Sequence, residues 1–270
     1  MDYYDDVSWV SNSMLGDLKK SPRMFQKRYV TREIGARESA AFDLGSLTHA
    51  IALEPSTVPL RFVIKPEGID RRTKAGKEAW EAFVQSSGDR KVIDNDTFKT
   101  AFRCGAALNS HPEISTLLSL KNPIIEERID FEWFGVQCKC KPDLVLPSQG
   151  IIVDIKTTKD ASPAGFRYSV EDYGYHRQAA FYLEACQRKY EKDFRFLFAC
   201  VETAEPFEAA MHELDYLMIS VGRKEIYQLI NEYKFRKETN DWSPAWSKGI
   251  NLLSGSKYYK PFVSELEEVA

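Results

Sequence analysis

Apolar positions recur at steps of three and four along residues 12–30, 40–53, 73–87 and 94–109, and this spacing predicts a helix over each stretch. Ser11 or Ser13 can cap the first helix, and Glu54-Pro55 stops the second. Residues 112–120 add another turn or two, and 61–64 form a short strand. Beyond residue 123 the period shortens to two. Residues 124–134 and 136–146 read as two strands around a turn near Gly135. The second alternates cleanly, with Cys138, Cys140, Pro142, Leu144 and Leu146 on one face and Lys139, Lys141, Asp143 and Val145 on the other. Pro147 to Gly150 turn the chain into a third strand at 151–156. A helix over 172–190, strands near 194–202 and 208–214, and a last helix over 215–238 complete the series. The expected fold is one α/β domain over 1–270, with a mixed central sheet flanked by helices, a core of about 8–238 and a tail of about 240–270.

Three clusters within this pattern carry chemistry. The sharpest is Pro142-Asp143, then ten residues, then Asp154-Ile155-Lys156. On a strand, Asp154 and Lys156 leave the same face, while Ile151, Val153 and Ile155 face the core on the other. A hairpin through the turn at Gly150 sets Asp143 beside both. Two carboxylates and an ammonium on an apolar sheet need a partner for their charge. Mg²⁺ or Mn²⁺, which take oxygen ligands and keep some waters, would supply it. Such a site suits phosphodiester hydrolysis: the cation neutralises the phosphate and activates water, and the lysine stabilises developing charge. The plainer alternative is a surface salt bridge on an edge strand.

Gly45 and His49 form the second cluster. They are i and i+4 on a helix, where a glycine clears space beside an imidazole that can join carboxylates around a metal. The alternative is a hydrogen-bonded core histidine. The third cluster is the run from Tyr175 to Tyr182. Gln178 and Tyr182 share a helix face, Tyr175 lies close to it, and the stripe could line a substrate groove or orient Lys156. His176 and Arg177 could contact phosphate. The alternative is a half-exposed amphipathic helix.

Composition and charge narrow the class. Apolar residues make up 43% of the 270, which excludes a disordered chain, and five cysteines are too few and oddly numbered for a disulfide scaffold. The acidic N-terminus is unlike a leader peptide, and the longest apolar run, 196–201, is far too short to span a bilayer, so a cytoplasmic protein is expected. A net charge of −3 argues against a surface basic all round, but residues 19–37 hold seven cations against one acid. Lys19, Arg23, Lys27 and Arg28 in this stripe, together with Lys139, Lys141, Tyr175 and Arg177, are the expected phosphate and DNA contacts. A solvated helix face is the alternative for such a charge run.

Read in order, Gly45 with His49, Pro142-Asp143, Asp154-Ile155-Lys156, and Tyr175-His176-Arg177-Gln178 with Tyr182 resemble the motifs of the exonuclease VIII (RecE-type) nuclease domain and its phage relatives. These lie within the RecB-like group of PD-(D/E)XK nucleases. The resemblance spans about 8–215 and implies a restriction-endonuclease-like core. It further implies a Mg²⁺-dependent nuclease, with Mn²⁺ able to substitute, that degrades linear duplex DNA 5′ to 3′. The 3′ strand is left to a single-strand annealing protein in recombination or repair, and the enzyme often forms a ring-shaped oligomer. Carried over by residue, His49, Asp143, Asp154 and the Ile155 carbonyl would hold metal. Lys156 would be catalytic beside the two aspartates, with Gln178 and Tyr182 accessory and Glu127 auxiliary. Some RecB-like nucleases hold an iron–sulfur cluster. Here Ser21 precedes Pro22 and no cysteine follows Cys200, so no cluster is expected and the five cysteines are read as free thiols. Two alternatives stand beside the exonuclease: an endonuclease or repair nuclease of the same fold, and an inactive DNA-binding or assembly protein.

Overall fold

The structure, a computed structural model, describes residue 3 and residues 5–35 and 39–253. In chain order the elements are α1 (Asn12–Lys20), α2 (Pro22–Phe25), a π-turn (Gln26–Val30), α3 (Ala40–Leu53), α4 (Val58–Arg61), β1 (Phe62–Ile64), α5 (Lys74–Ser87), β2 (Lys91–Ile93), α6 (Asn95–Ser110) and α7 (Pro112–Leu118). Then follow β3 (Ile124–Ile125), β4 (Ile129–Trp133), β5 (Val136–Cys140), β6 (Leu144–Leu146), β7 (Ile151–Thr158), α8 (Pro163–Tyr173), α9 (Tyr175–Tyr190), β8 (Arg195–Glu202), β9 (Ala209–Glu213) and α10 (Tyr216–Thr239).

The central sheet has the order β3-β6-β7-β8-β9. Only β7 and β8 run parallel, so the sheet is mixed. It is covered on both faces. Ile152, Phe196, Phe198 and Cys200 pack with α8, α9 and α10 through Phe166, Ala179, Ala180 and Ile226, whereas Val153, Ile155, Ala199 and Val201 pack with α6 and α7 through Cys104, Leu108 and Ile114. Two-sided burial explains why β8 is apolar without alternation. A second, two-stranded sheet of β4 and β5 leans on α9, where Phe131 meets Phe181 edge-on at 5.1 Å. The parallel pair β1–β2 is joined through α5 and packs on α3 and α6. Among the described residues no helix is long and apolar enough to cross a membrane.

Four expected elements are divided, among them the strand expected over 124–134, which is β3 in the central sheet and β4 in the two-stranded sheet, with Glu126 between them at φ 47°. The helix expected over 12–30 breaks at Ser21, which is extended and caps α2 through its side chain. Positions 19, 23 and 27 therefore do not share one helix face. The expected strand 136–146 is two strands in two sheets. Pro142 cannot donate to a ladder, and across it the side-chain phase flips: Cys138 and Cys140 point toward α9, Leu144 and Leu146 toward α6. The helix expected over 172–190 is α9 with only the last two residues of α8, the rest of α8 falling before it. Gly174 separates them in a left-handed conformation (φ 69°), and the Arg177 guanidinium lies 2.8 Å from where a Cβ would sit, so a side chain here would be strained and would push Arg177 aside.

Candidate active site

The site lies where β6 and β7 meet α3 and α9. Leu144 pairs with Val153, so Asp143, one residue before the ladder begins, stands opposite Asp154 in register. Asp143 is thus in the link between two strands rather than on one. Its Oδ2 accepts a hydrogen bond from the Ile155 N–H at 2.8 Å. Next on β7, Asp154 is buried, with Oδ1 accepting from Gln178 Nε2 at 2.7 Å and Oδ2 lying 2.6 Å from Lys156 Nζ. The Lys156 ammonium sits 4.7 Å above the Tyr175 ring. His49, from the middle of α3, places Nε2 2.8 Å from the Ile155 carbonyl oxygen and Nδ1 3.3 Å from Asp143 Oδ2. A Cβ at Gly45 would meet Thr157 Oγ1 at an ordinary 3.8 Å, so this glycine is not required for the approach of α3 to β7.

Electrostatics follow from burial and crowding. Burial, joined by the neighbouring Asp143 charge, raises Asp154 to about 6 against the pull of Lys156 and His49. Burial also works against ionised Asp143, but His49, Lys156 and the Ile155 N–H outweigh it and hold that carboxyl below its ordinary value. Burial opposes charge on His49, yet the two aspartates prevail over it and over Lys156, and the imidazole pKa rises. Nε2 carries a proton in this arrangement, because the Ile155 carbonyl 2.8 Å away can only accept. Lys156 is held as an ammonium by Asp154 and Asp143 despite its burial.

These residues fit a hard divalent cation, with one rearrangement. Asp154 Oδ2 is buried and receives no hydrogen bond of good geometry, which leaves a carboxylate oxygen available for a metal. His49 Nε2 and the Ile155 oxygen, 2.8 Å apart, are spaced like neighbouring ligands, since 2.0–2.1 Å Mg²⁺ bonds at right angles put donors about 3 Å apart. Among the described residues, no three His, Cys, Asp or Glu side chains already stand as a metal cluster. Lys156 and the His49 proton occupy the cation positions, so a metal must displace them.

The other expected residues divide sharply. Gln178 reaches the site. Tyr182, one turn further along α9, is half-buried with its ring 6.1 Å from Phe196, and burial pushes its hydroxyl well up. Tyr175, expected to touch DNA, is instead the aromatic floor under Lys156. Several expected DNA contacts are corrected. Lys139 is buried and donates to the Asp6 and Tyr3 carbonyls. Arg177 is buried against Glu225 and Asn12. Arg28 is tied to buried Asp17 at 2.6 Å. Lys19, Lys27 and Lys141 pair with Glu225, Glu33 and Glu126. Arg23 is exposed, and Arg37 of the same stripe lies outside the described residues. Glu127 pairs with Lys189 at 2.6 Å, away from the aspartates. Its neighbour Glu126 lies closer, donating its backbone N–H to the Asp143 carbonyl at 3.1 Å. All five cysteines are buried and unpaired, and burial raises Cys138 to about 12.

A mixed sheet whose central strand carries Asp154 and Lys156, with Asp143 opposite and a glutamine from α9 behind, defines the PDDEXK-like class of fold. Residues 11–253 match the family described as "PDDEXK-like domain of unknown function (DUF3799)", and the chain belongs to that family. The protein called "Putative exonuclease" from Eubacterium rectale shares the fold, with a TM-score of 0.64 at 14% identity over 96% of each chain. A phage related exonuclease from Haemophilus somnus 129PT aligns over 70% of this chain and 95% of its own, at 15% identity and a TM-score of 0.31. No curated protein matches the sequence.

Proposed function

We propose that this chain is a divalent-metal-dependent deoxyribonuclease acting on the ends of linear duplex DNA, 5′ to 3′, and leaving a 3′ single strand. The observation that supports it most is the convergence of Asp143, Asp154, Lys156 and His49 at β7, with Gln178 bonded to Asp154 at 2.7 Å. His49, Asp143, Asp154 and the Ile155 carbonyl are the groups that would hold Mg²⁺ or Mn²⁺. When bound, the metal would screen the scissile phosphate and lower the pKa of an attacking water. Lys156 stays protonated, so it is a poor base near neutral pH; it donates to phosphate oxygens as negative charge builds on them. Gln178 fixes the Asp154 carboxylate, and the Tyr175 ring limits where the ammonium can swing. The products suit a single-strand annealing partner in the same cytoplasm, and a ring of copies would keep the enzyme on its strand.

The test is digestion of end-labelled linear duplex in Mg²⁺ by wild type and by Asp154→Ala. Wild type shortens the linear DNA and spares a covalently closed circle, and Asp154→Ala leaves both intact. Cleavage of the circle would replace the exonuclease with an endonuclease. Equal digestion by Asp154→Ala would overturn the site.

A further inference from the structure

The segment between α3 and α6 is a basic arm that the site does not use. Residues 61–77 hold six cations against two acids. Lys65 and Arg71 converge on one indole, at 5.7 Å and 4.6 Å from the Trp80 ring centre, and Lys77 lies one turn before Trp80 on α5. Lys65, Arg71 and Lys77 are exposed and have no carboxylate partner among the described residues. Arg72 is taken up by Asp70, and Lys74 stands 3.9 Å from Glu78.

α5 is oddly placed for a core element. Ser87 is its one buried residue, and its apolar face, with Trp80 and Phe83 5.5 Å apart and Val84 45% exposed, has little over it. The arm is nevertheless firmly rooted. Phe62 and Ile93 pack with Leu47, Ala50 and Ala101, and Lys91 bonds Asp43 at 3.2 Å. Asp43 lies six residues before His49 on α3, about 9 Å along the helix. A cationic surface with a cation-stacked indole is thus rooted on the helix that carries His49.

We propose that this β1–α5–β2 arm grips the backbone of duplex DNA beside the active site, with Lys65, Arg71 and Lys77 on phosphates and Trp80 as the platform between them. The proposal rests on nucleic acid being the substrate. Charge complementarity favours it: duplex DNA carries about one negative charge per 1.7 Å, so about five charges pass along the 9 Å between the arm's root and His49. An acidic protein would meet the cations but has no general use for a half-buried indole among them, whereas stacking and cation–π contact serve nucleic acid directly.

The experiment is fluorescence anisotropy of a labelled 30-base-pair duplex in EDTA, titrated at salt concentrations from 50 to 200 mM. Wild type is compared with the triple variant Lys65→Gln, Arg71→Gln, Lys77→Gln. Removing three phosphate contacts should lower the slope of log K against log salt by about 2.7, with unfolding transitions unchanged because all three side chains are exposed. In parallel, duplex should quench the fluorescence of wild type more than that of Trp80→Phe. A wild type that digests duplex in Mg²⁺ while the triple variant keeps its slope overturns the arm and leaves the nuclease standing. A lowered slope in the triple variant, beside a wild type that never digests DNA, supports the arm and overturns the nuclease. Binding of an acidic polypeptide with the same loss in the triple variant, and none with DNA, overturns the arm as a DNA contact.

Discussion

Glu225 on α10 is the point at which the site's supporting helices are tied together, and replacing it gives a prediction with a definite size. Its carboxylate accepts from His176 Nε2 at 2.9 Å and Arg177 Nη1 at 2.8 Å, both on the first turn of α9, and lies 2.5 Å from Lys19 on α1. Arg177 also bonds Asn12 at 3.0 Å and fills the notch left by Gly16 and Gly174. Its side chain is 6% exposed, so Glu225→Ala leaves a guanidinium buried without a counter-charge. Removing one partner of a buried pair costs about 3–5 kcal/mol, whereas Lys19, at 56% exposed, adds little. For a chain of this size that is a fall of about 6–20 °C in Tm. Equilibrium denaturation in urea measures it. The double variant with Arg177→Met should recover about 2 kcal/mol or more, since both charges are then gone. The sign in acid is fixed as well. Hydrogen bonds from His176 and Lys19, with the charges of Arg177 and Lys19, hold Glu225 at about 2, below the ordinary 4.5, despite partial burial. Its contribution is therefore full above about pH 4.5 and lost as pH falls toward 2. Wild type should lose stability across that window faster than Glu225→Ala. A Glu225→Ala protein within 1 kcal/mol of wild type would refute the reasoning, because Arg177 would then have to be solvated or paired elsewhere.

Lys156→Ala should lower kcat on duplex DNA by about 10²–10³ and leave DNA binding largely intact, as single-turnover kinetics and anisotropy would report; a variant above a tenth of wild-type rate argues against the role given to the ammonium. Metal affinity should fall in acid. His49 sits above its ordinary value and Asp154 at about 6, and both must shed a proton to become ligands, so apparent Mn²⁺ affinity drops through the pH 7 to 6 region and by up to about 100-fold per unit below it. Calorimetry showing flat affinity from pH 8 to 5.5 would contradict the ligand set. Gln178→Ala frees one oxygen of Asp154, and should lower kcat with little change in KM; an effect on KM alone would place Gln178 on substrate. Burial raises Cys104 to about 11 and Cys138 and Cys186 to about 12, so Ellman's reagent at pH 8 should find almost no thiol in the native protein and all five after denaturation.

How much of this was legible beforehand depends on which kind of signal each residue carries. Apolar runs and turn chemistry located β7, β8 and β9 within two residues at each end, because strands buried on two faces leave little freedom in composition. The pairing of Asp143 with Asp154 followed from counting through the Gly150 turn, and register is fixed once one face of a strand must be buried. The breaks were harder. Ser21 and Gly174 interrupt runs that keep helical spacing on either side, and a single residue in an extended or left-handed conformation leaves that spacing almost untouched. β2 and α8 were missed for a related reason: one has three residues, and the other directly abuts α9.

Charge was the least legible property, and the reason is physical rather than statistical. A cation's role depends on which carboxylate lies opposite it in space. Lys139, Arg177 and Arg28 have their partners 133, 48 and 11 positions away in the sequence. The stripe at 19–37 looked basic because Glu225 and Asp17, which neutralise Lys19 and Arg28, lie on α10 or read as core-facing polar positions. The 61–77 segment looked ordinary because its cations are mixed with turn residues, yet it keeps its free charge once folded. Desolvation sorts the two cases. A buried cation must take a partner and is thereby removed from binding, while an exposed one need not. In this chain Arg177 is buried and spent on Glu225, whereas Lys65, Arg71 and Lys77 on the arm stay exposed and are among the cations left to meet a polyanion.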